Sequence, residues 1–140
     1  MKKTLRFLFL TIFTVSLSYS QVVINELMYN PSYSGGSSDD GEFVELFNAG
    51  QSAVDLSGYK LSEGVDFTFP SGATIAAGSY LVVGRDSVRF KEDNGFDPHY
   101  DWGGNSVGGN LANSTETVKL LDGSGATVDE VVYDDGLGGD

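Results

Sequence analysis

The sequence contains no cysteine, three prolines and one histidine, and its 20 Asp and Glu far outnumber its 8 Lys and Arg. Without cysteine there is no disulfide, so the fold must be held by burial alone. The shortage of positive charge excludes a class of partner. Non-specific nucleic-acid binding needs Lys and Arg at the phosphates, yet beyond residue 20 only Lys60, Arg85, Arg89, Lys91 and Lys119 face all the carboxylates. Nucleic acid and anionic membrane are therefore disfavoured. Long apolar runs are missing too: the stretch Phe7 to Leu17 is well short of the roughly 20 residues that span a bilayer. The lone histidine, His99, sits in a loop between Asp97 and Asp101. Nothing beside it in the sequence marks it as a tuned acid or base, and His99 reads as a solvated loop side chain.

What the first twenty residues do have is the layout of a signal peptide. Lys2, Lys3 and Arg6 precede the apolar stretch, and Ser18 and Ser20 place small residues before Gln21. The expected division is 1–20 signal peptide and 21–140 mature domain, secreted or at the cell surface. A mature chain of this size makes one domain and buries roughly two-thirds of its unfolded surface, enough for a core without cross-links. Its acidity favours solubility outside the cell.

The rest is a succession of short strands bounded by turn residues. Val22 to Met28 reads as a first strand. In Glu42 to Asn48, Val44 and Leu46 share one face while Phe43, Glu45 and Phe47 share the other, which is only partly covered. Tyr29 to Gly41 is a long polar connection. Gly58 turns the chain into Tyr59 to Leu61; Phe67 and Phe69 share a face before Pro70, which has no N–H for a ladder. Ala73 to Ala76 is a short strand, with Ala77 and Gly78 as a hairpin turn into the central strand Tyr80 to Val83. Asp86 caps one or two helical turns that end at Asn94 before Gly95. Phe96 to Asn110 is irregular, and Asp122 to Gly125 joins a last hairpin, Glu116 to Leu121 and Ala126 to Tyr133. About eight or nine strands at such spacing predict an all-β, immunoglobulin-like antiparallel sandwich of two packed sheets. An up-and-down barrel is the competitor, but uneven strands and loops speak against it.

Seven segments in register resemble the lamin tail domain, in its bacterial secreted form: Ile24 to Pro31, Glu42 to Asn48, Val54 to Ser62, Phe67 to Pro70, Gly78 to Val83, Gly109 to Leu111 and Thr115 to Asp122. The resemblance spans Val22 to Asp135. It implies an immunoglobulin-like fold and a non-catalytic binding or scaffolding role, usually as one module of a larger exported protein beside nucleases, phosphatases, peptidases or adhesins. Members usually continue past the segment matching Val128 to Tyr133 into one more short strand. The expectation is therefore a domain truncated at its C-terminus, with an exposed sheet edge.

Several residues invite sharper functions. Asp39, Asp40 and Glu42, and separately Asp134 and Asp135, offer oxygen ligands of the kind calcium takes, but neither group fits the twelve-residue calcium loop. Solvated loop acids are the preferred reading, and no cofactor or metal site is assigned. Glu26 and Glu45 sit among strand apolar residues and are read as paired or hydrogen-bonded on an open sheet face. The loop Phe96 to Trp102, with Tyr100 and Trp102 beside Asp97 and Asp101, has the aromatic and carboxylate groups of a sugar-binding surface. The preferred alternative has Phe96 and Trp102 plugging the end of the sandwich. Taken together, the sequence points to a non-catalytic exported module for attachment, targeting or protein interaction, with protein or extracellular polysaccharide as partner. A carbohydrate-binding module is the first alternative, and a small secreted hydrolase, its carboxylate pair hidden by folding, is the second.

Overall fold

A computed structural model describes residues 22–31, 38–103, 108–134 and 136. The signal-peptide reading of 1–20 and the acid Asp135 lie outside the described residues. The strands are β1 (Val22–Met28), β2 (Phe43–Asn48), β3 (Val54–Asp55), β4 (Lys60–Ser62), β5 (Phe67–Thr68), β6 (Thr74–Ile75), β7 (Tyr80–Gly84), β8 (Tyr100–Asp101), β9 (Thr115–Leu121) and β10 (Thr127–Asp134), with one helix, α1 (Ser87–Asn94). They form one sheet in the order β1-β2-β7-β8, a second in the order β10-β9-β4-β5, and a small β3-β6 pair. This is the immunoglobulin-like sandwich expected. Among the described residues the two sheets are not hydrogen-bonded into a closed barrel.

Alternation builds the core. Val44 and Leu46 from β2, Leu81 and Val83 from β7, Leu61 from β4 and Val118 and Leu120 from β9 turn inward and are each at most 2% exposed. Each side chain so buried contributes about 1.5–3 kcal/mol, the stabilisation that replaces missing disulfides. Phe69 sits among them, its ring edge-on to Phe67 at 5.0 Å and to Tyr100 at 5.7 Å.

Strand β1 keeps the pattern through a bulge between Ile24 and Glu26. The extra residue, Asn25, lets Val22 and Ile24 face inward before it and Leu27 after it, and so puts Asn25, Glu26 and Met28 on the outer face. There Met28, Phe43 and Val82 are covered by Phe90 of α1, which meets Phe43 edge-on at 5.4 Å. Helix α1 is bounded as its end residues dictate. The Asp86 carboxylate accepts the Arg89 N–H at 2.8 Å, and Gly95 takes a φ of 81° while its N–H donates to Lys91.

Two local expectations are corrected. Ala77 and Gly78 do turn the chain, but not as a hairpin: β6 pairs with β3 and β7 pairs with β2, so the turn carries the chain between layers. Phe96 to Asn110 is not wholly irregular. It contributes β8, which pairs with β7 in parallel, and α1 is the crossover that parallel pairing demands. Among the described residues no helix is long and apolar enough to cross a membrane.

Candidate functional site

One end of the sandwich gathers most of the residues that the sequence marks for chemistry. A short 3₁₀ turn, Ser38–Gly41, delivers Asp39 and Asp40, β2 starts with Glu42 just outside it, and β7 hands Arg85 to the same place. Glu42 is fully buried and Arg85 is 6% exposed. The guanidinium Nη1 lies 3.3 Å from Asp39 and 3.8 Å from the Glu42 Oε2, and Nε lies 3.9 Å from Asp40. The acids of this cluster are thus gathered around a protein cation rather than solvated separately.

The Glu42 carboxylate also accepts the Leu111 N–H at 3.1 Å, while the Asn110 amide donates to Asp39 at 2.9 Å. Backbone bonds from Glu42 N–H to Asp39 and from Arg85 N–H to Glu42 complete the knot. Three separated loops are fastened here. Burial raises the Glu42 pKa from 4.5 to about 7, against the lowering effects of the Leu111 N–H and of Arg85.

The loop Phe96 to Trp102 is organised inward. Trp102 is 5% exposed and its indole N–H donates to the Gly109 carbonyl at 3.2 Å, and Tyr100 packs on Phe67 and Phe69. Neither ring is presented as a stacking platform for a sugar. Of the two rings expected to plug the end of the sandwich only Trp102 is buried; Phe96 is 52% exposed and rests edge-on against Phe90. Asp97 pairs with Lys91 at 2.9 Å.

His99 is exposed but committed. Its backbone N–H donates to the Val82 carbonyl at 3.0 Å, and its Nδ1 accepts the Val82 N–H at 3.1 Å. The ring takes the place of a strand carbonyl and lengthens the β7–β8 ladder, so the solvated reading is replaced by a structural one. The acid Asp134 accepts bonds from the Gly136 N–H and the Thr115 hydroxyl, and both hold its pKa below the usual carboxylate value.

The remaining polar fasteners escaped sequence reasoning. Asn48, fully buried, donates to the Ser52 and Ile75 carbonyls at 2.8 and 3.1 Å and accepts the Gly50 N–H at 2.9 Å. Glu116 accepts the Ala112 N–H at 2.7 Å, and the Tyr133 hydroxyl bonds both to it and to the Ala112 carbonyl. Burial, then the charge of Glu116, pushes the Tyr133 hydroxyl pKa well above its usual value. The available signal was the position of Asn48 and Glu116 inside patterned segments where a polar residue faces the core.

A different kind of surface lies on the outer face of the first sheet. Glu26 and Glu45 stand directly opposite across β1 and β2, and the Asn25 amide donates to Glu45 at 2.8 Å. Neither carboxylate has an ion-pair partner among the described residues. In the next row Phe47 and Tyr80 are cross-strand neighbours with ring centroids 4.7 Å apart, and Tyr80 is 52% exposed.

Comparison with known proteins agrees with this architecture. A family model described as Lamin Tail Domain matches residues 16–135. A search of curated proteins finds no match. An immunoglobulin-like sandwich over the described part of the matched span completes the case: the chain belongs to the lamin tail domain family.

Proposed function

We propose that the chain is a non-catalytic module that works outside the cell, attaching or positioning a larger secreted or surface protein by binding another protein. Domains of this family are generally protein-interaction modules. The observation that carries the proposal is the use made of the chemistry-bearing side chains: Glu42, Arg85, His99 and Trp102 all hold backbone or one another in place. Groups so committed serve as struts, and recognition falls to the exposed faces. Export is supported by the N-terminal charge and apolar pattern, and cofactor independence by Arg85, which supplies the positive charge among Asp39, Asp40 and Glu42.

The test is photo-crosslinking from the exposed faces in the exported fraction of producing cells, followed by reconstitution with the purified candidate. Saturable binding to a protein, with no turnover of ester, peptide or glycoside substrates, is the expected result. Retention on polysaccharide without any protein partner would move the assignment to the carbohydrate alternative, and turnover would overturn it. Calcium titration by calorimetry should be flat at millimolar ion.

A further inference from the structure

Resting on the protein-interaction reading above, we propose that the uncovered part of the outer face of β1, β2 and β7 docks a basic, extended segment of a partner protein. A lysine or arginine sits between Glu26 and Glu45, and a neighbouring apolar side chain lies against Phe47 and Tyr80.

Helix α1 covers only one end of this face, over Met28, Phe43 and Val82. In the row Glu26, Glu45 and Val82 the helix covers Val82 and leaves the two carboxylates open, and the next row, Val23, Phe47 and Tyr80, is outside the cluster under Phe90. An aromatic pair at 4.7 Å with one ring half exposed is an apolar platform, and its faces also attract a cation.

The charge specifies the occupant. Glu26 and Glu45 are directly opposed, with Cβ atoms about 5 Å apart in such pairs, an arrangement that destabilises a sheet when both are ionised. The bulge at Asn25 creates the opposition, since without the extra residue Glu26 would face the core. Asn25 then orients Glu45 through its amide. Among the described residues Arg85, Arg89, Lys91 and Lys119 hold other acids, and Lys60 lies on β4 of the other sheet. A partner that supplies a cation between the two carboxylates removes the repulsion, and the net charge of −12 steers it inward. A neutral sugar would use the rings but leave the carboxylate pair unrelieved.

The experiment uses the ¹⁵N-labelled mature chain and two synthetic nonapeptides, one alternating Lys with Leu and one alternating Glu with Leu. The Lys peptide should shift the amides of Val23, Glu26, Glu45, Phe47 and Tyr80 saturably, with an affinity that falls as salt rises; the Glu peptide should not. The double variant Glu26→Gln/Glu45→Gln should weaken the Lys peptide about five- to tenfold, and Tyr80→Ser should weaken it independently. Urea unfolding of the double variant should show stability equal to or above the parent, which separates lost binding from lost folding.

Shifts centred on Asp39 or Asp134, or binding indifferent to the double variant, would overturn the proposal, as would a neutral oligosaccharide that occupies Phe47 and Tyr80 more tightly than the Lys peptide. The variants also separate this inference from the broader one. A crosslinked partner that binds them unchanged uses another face, which sinks the docking site and leaves the interaction module standing. Absence of any protein partner sinks the module itself.

Discussion

Replacing Glu42 with Gln should make the protein more stable at pH 8 while changing little at pH 5. In the folded chain the carboxyl titrates at about 7 rather than 4.5, because it is sealed under the Asp39 turn and the Leu111 loop. The native state therefore holds the proton more tightly than the unfolded chain does. The associated stability is fully present below about 4.5 and is lost as pH rises through about 7. Each pKa unit corresponds to about 1.4 kcal/mol, which gives an upper bound of about 3 kcal/mol for the whole shift. Arg85 and the half-open Asp40 side screen part of it, so a loss of about 1–2 kcal/mol between pH 5 and pH 8 is expected. A Gln amide oxygen can still accept the Leu111 N–H, so the variant keeps the fastening and loses the titration. Urea unfolding of both proteins at intervals across that range gives the comparison directly. Asp55, Asp122 and Asp134 have lowered pKa values, so their contribution is lost only as pH falls through the acid range, outside this window. If the difference between parent and variant stays constant from pH 5 to pH 8, or if the parent gains on the variant as pH rises, the account of Glu42 is wrong.

Three further substitutions probe the other fasteners. Trp102→Ala should cost about 3–5 kcal/mol by denaturant titration, since the ring closes the end of the core; a folded variant of parental stability would return the loop to a surface role. Asn48→Ala strips the Ser52 and Ile75 carbonyls of their donor and should cost about 2–4 kcal/mol, read as a lower urea midpoint at unchanged slope. Asp86→Ala removes only the N-cap of α1 and should cost about 1 kcal/mol, with the loss of protection in amide exchange confined to the first turn of the helix.

Local grammar carried most of the fold. Alternation in β2 named Val44 and Leu46 as core, Asp86 and Gly95 named the helix ends, and the Asp122 turn named the last hairpin, because each signal lies within a few residues of what it controls. Strand β8 is only two residues long and is paired in parallel across a helix, so it left no periodic trace. The change of layer at Ala77 and Gly78 is decided by what β3 and β2 offer as partners, not by the turn.

The site was less legible for the same reason. Asp39 and Asp40 look like solvated loop acids until Arg85 arrives from the end of another strand, and a charge count cannot see that meeting. His99 offers a comparable case: its neighbours in sequence suggest an open loop, while its partner, Val82, is seventeen residues away. The opposition of Glu26 and Glu45 depends on one bulged residue, Asn25, and a bulge shifts the faces without altering the apolar count.

Amide hydrogen exchange bears most directly on the claim that polar side chains act here as struts tying loops to a two-sheet core. The Leu111 and Val82 N–H groups donate to side chains, Glu42 and His99, rather than to neighbouring strands. They should be protected to nearly the same degree as the ladder amides of Val44, Leu46 and Val118. Exchange of Leu111 and Val82 at the rates of an open loop, with the ladder amides still protected, would contradict it.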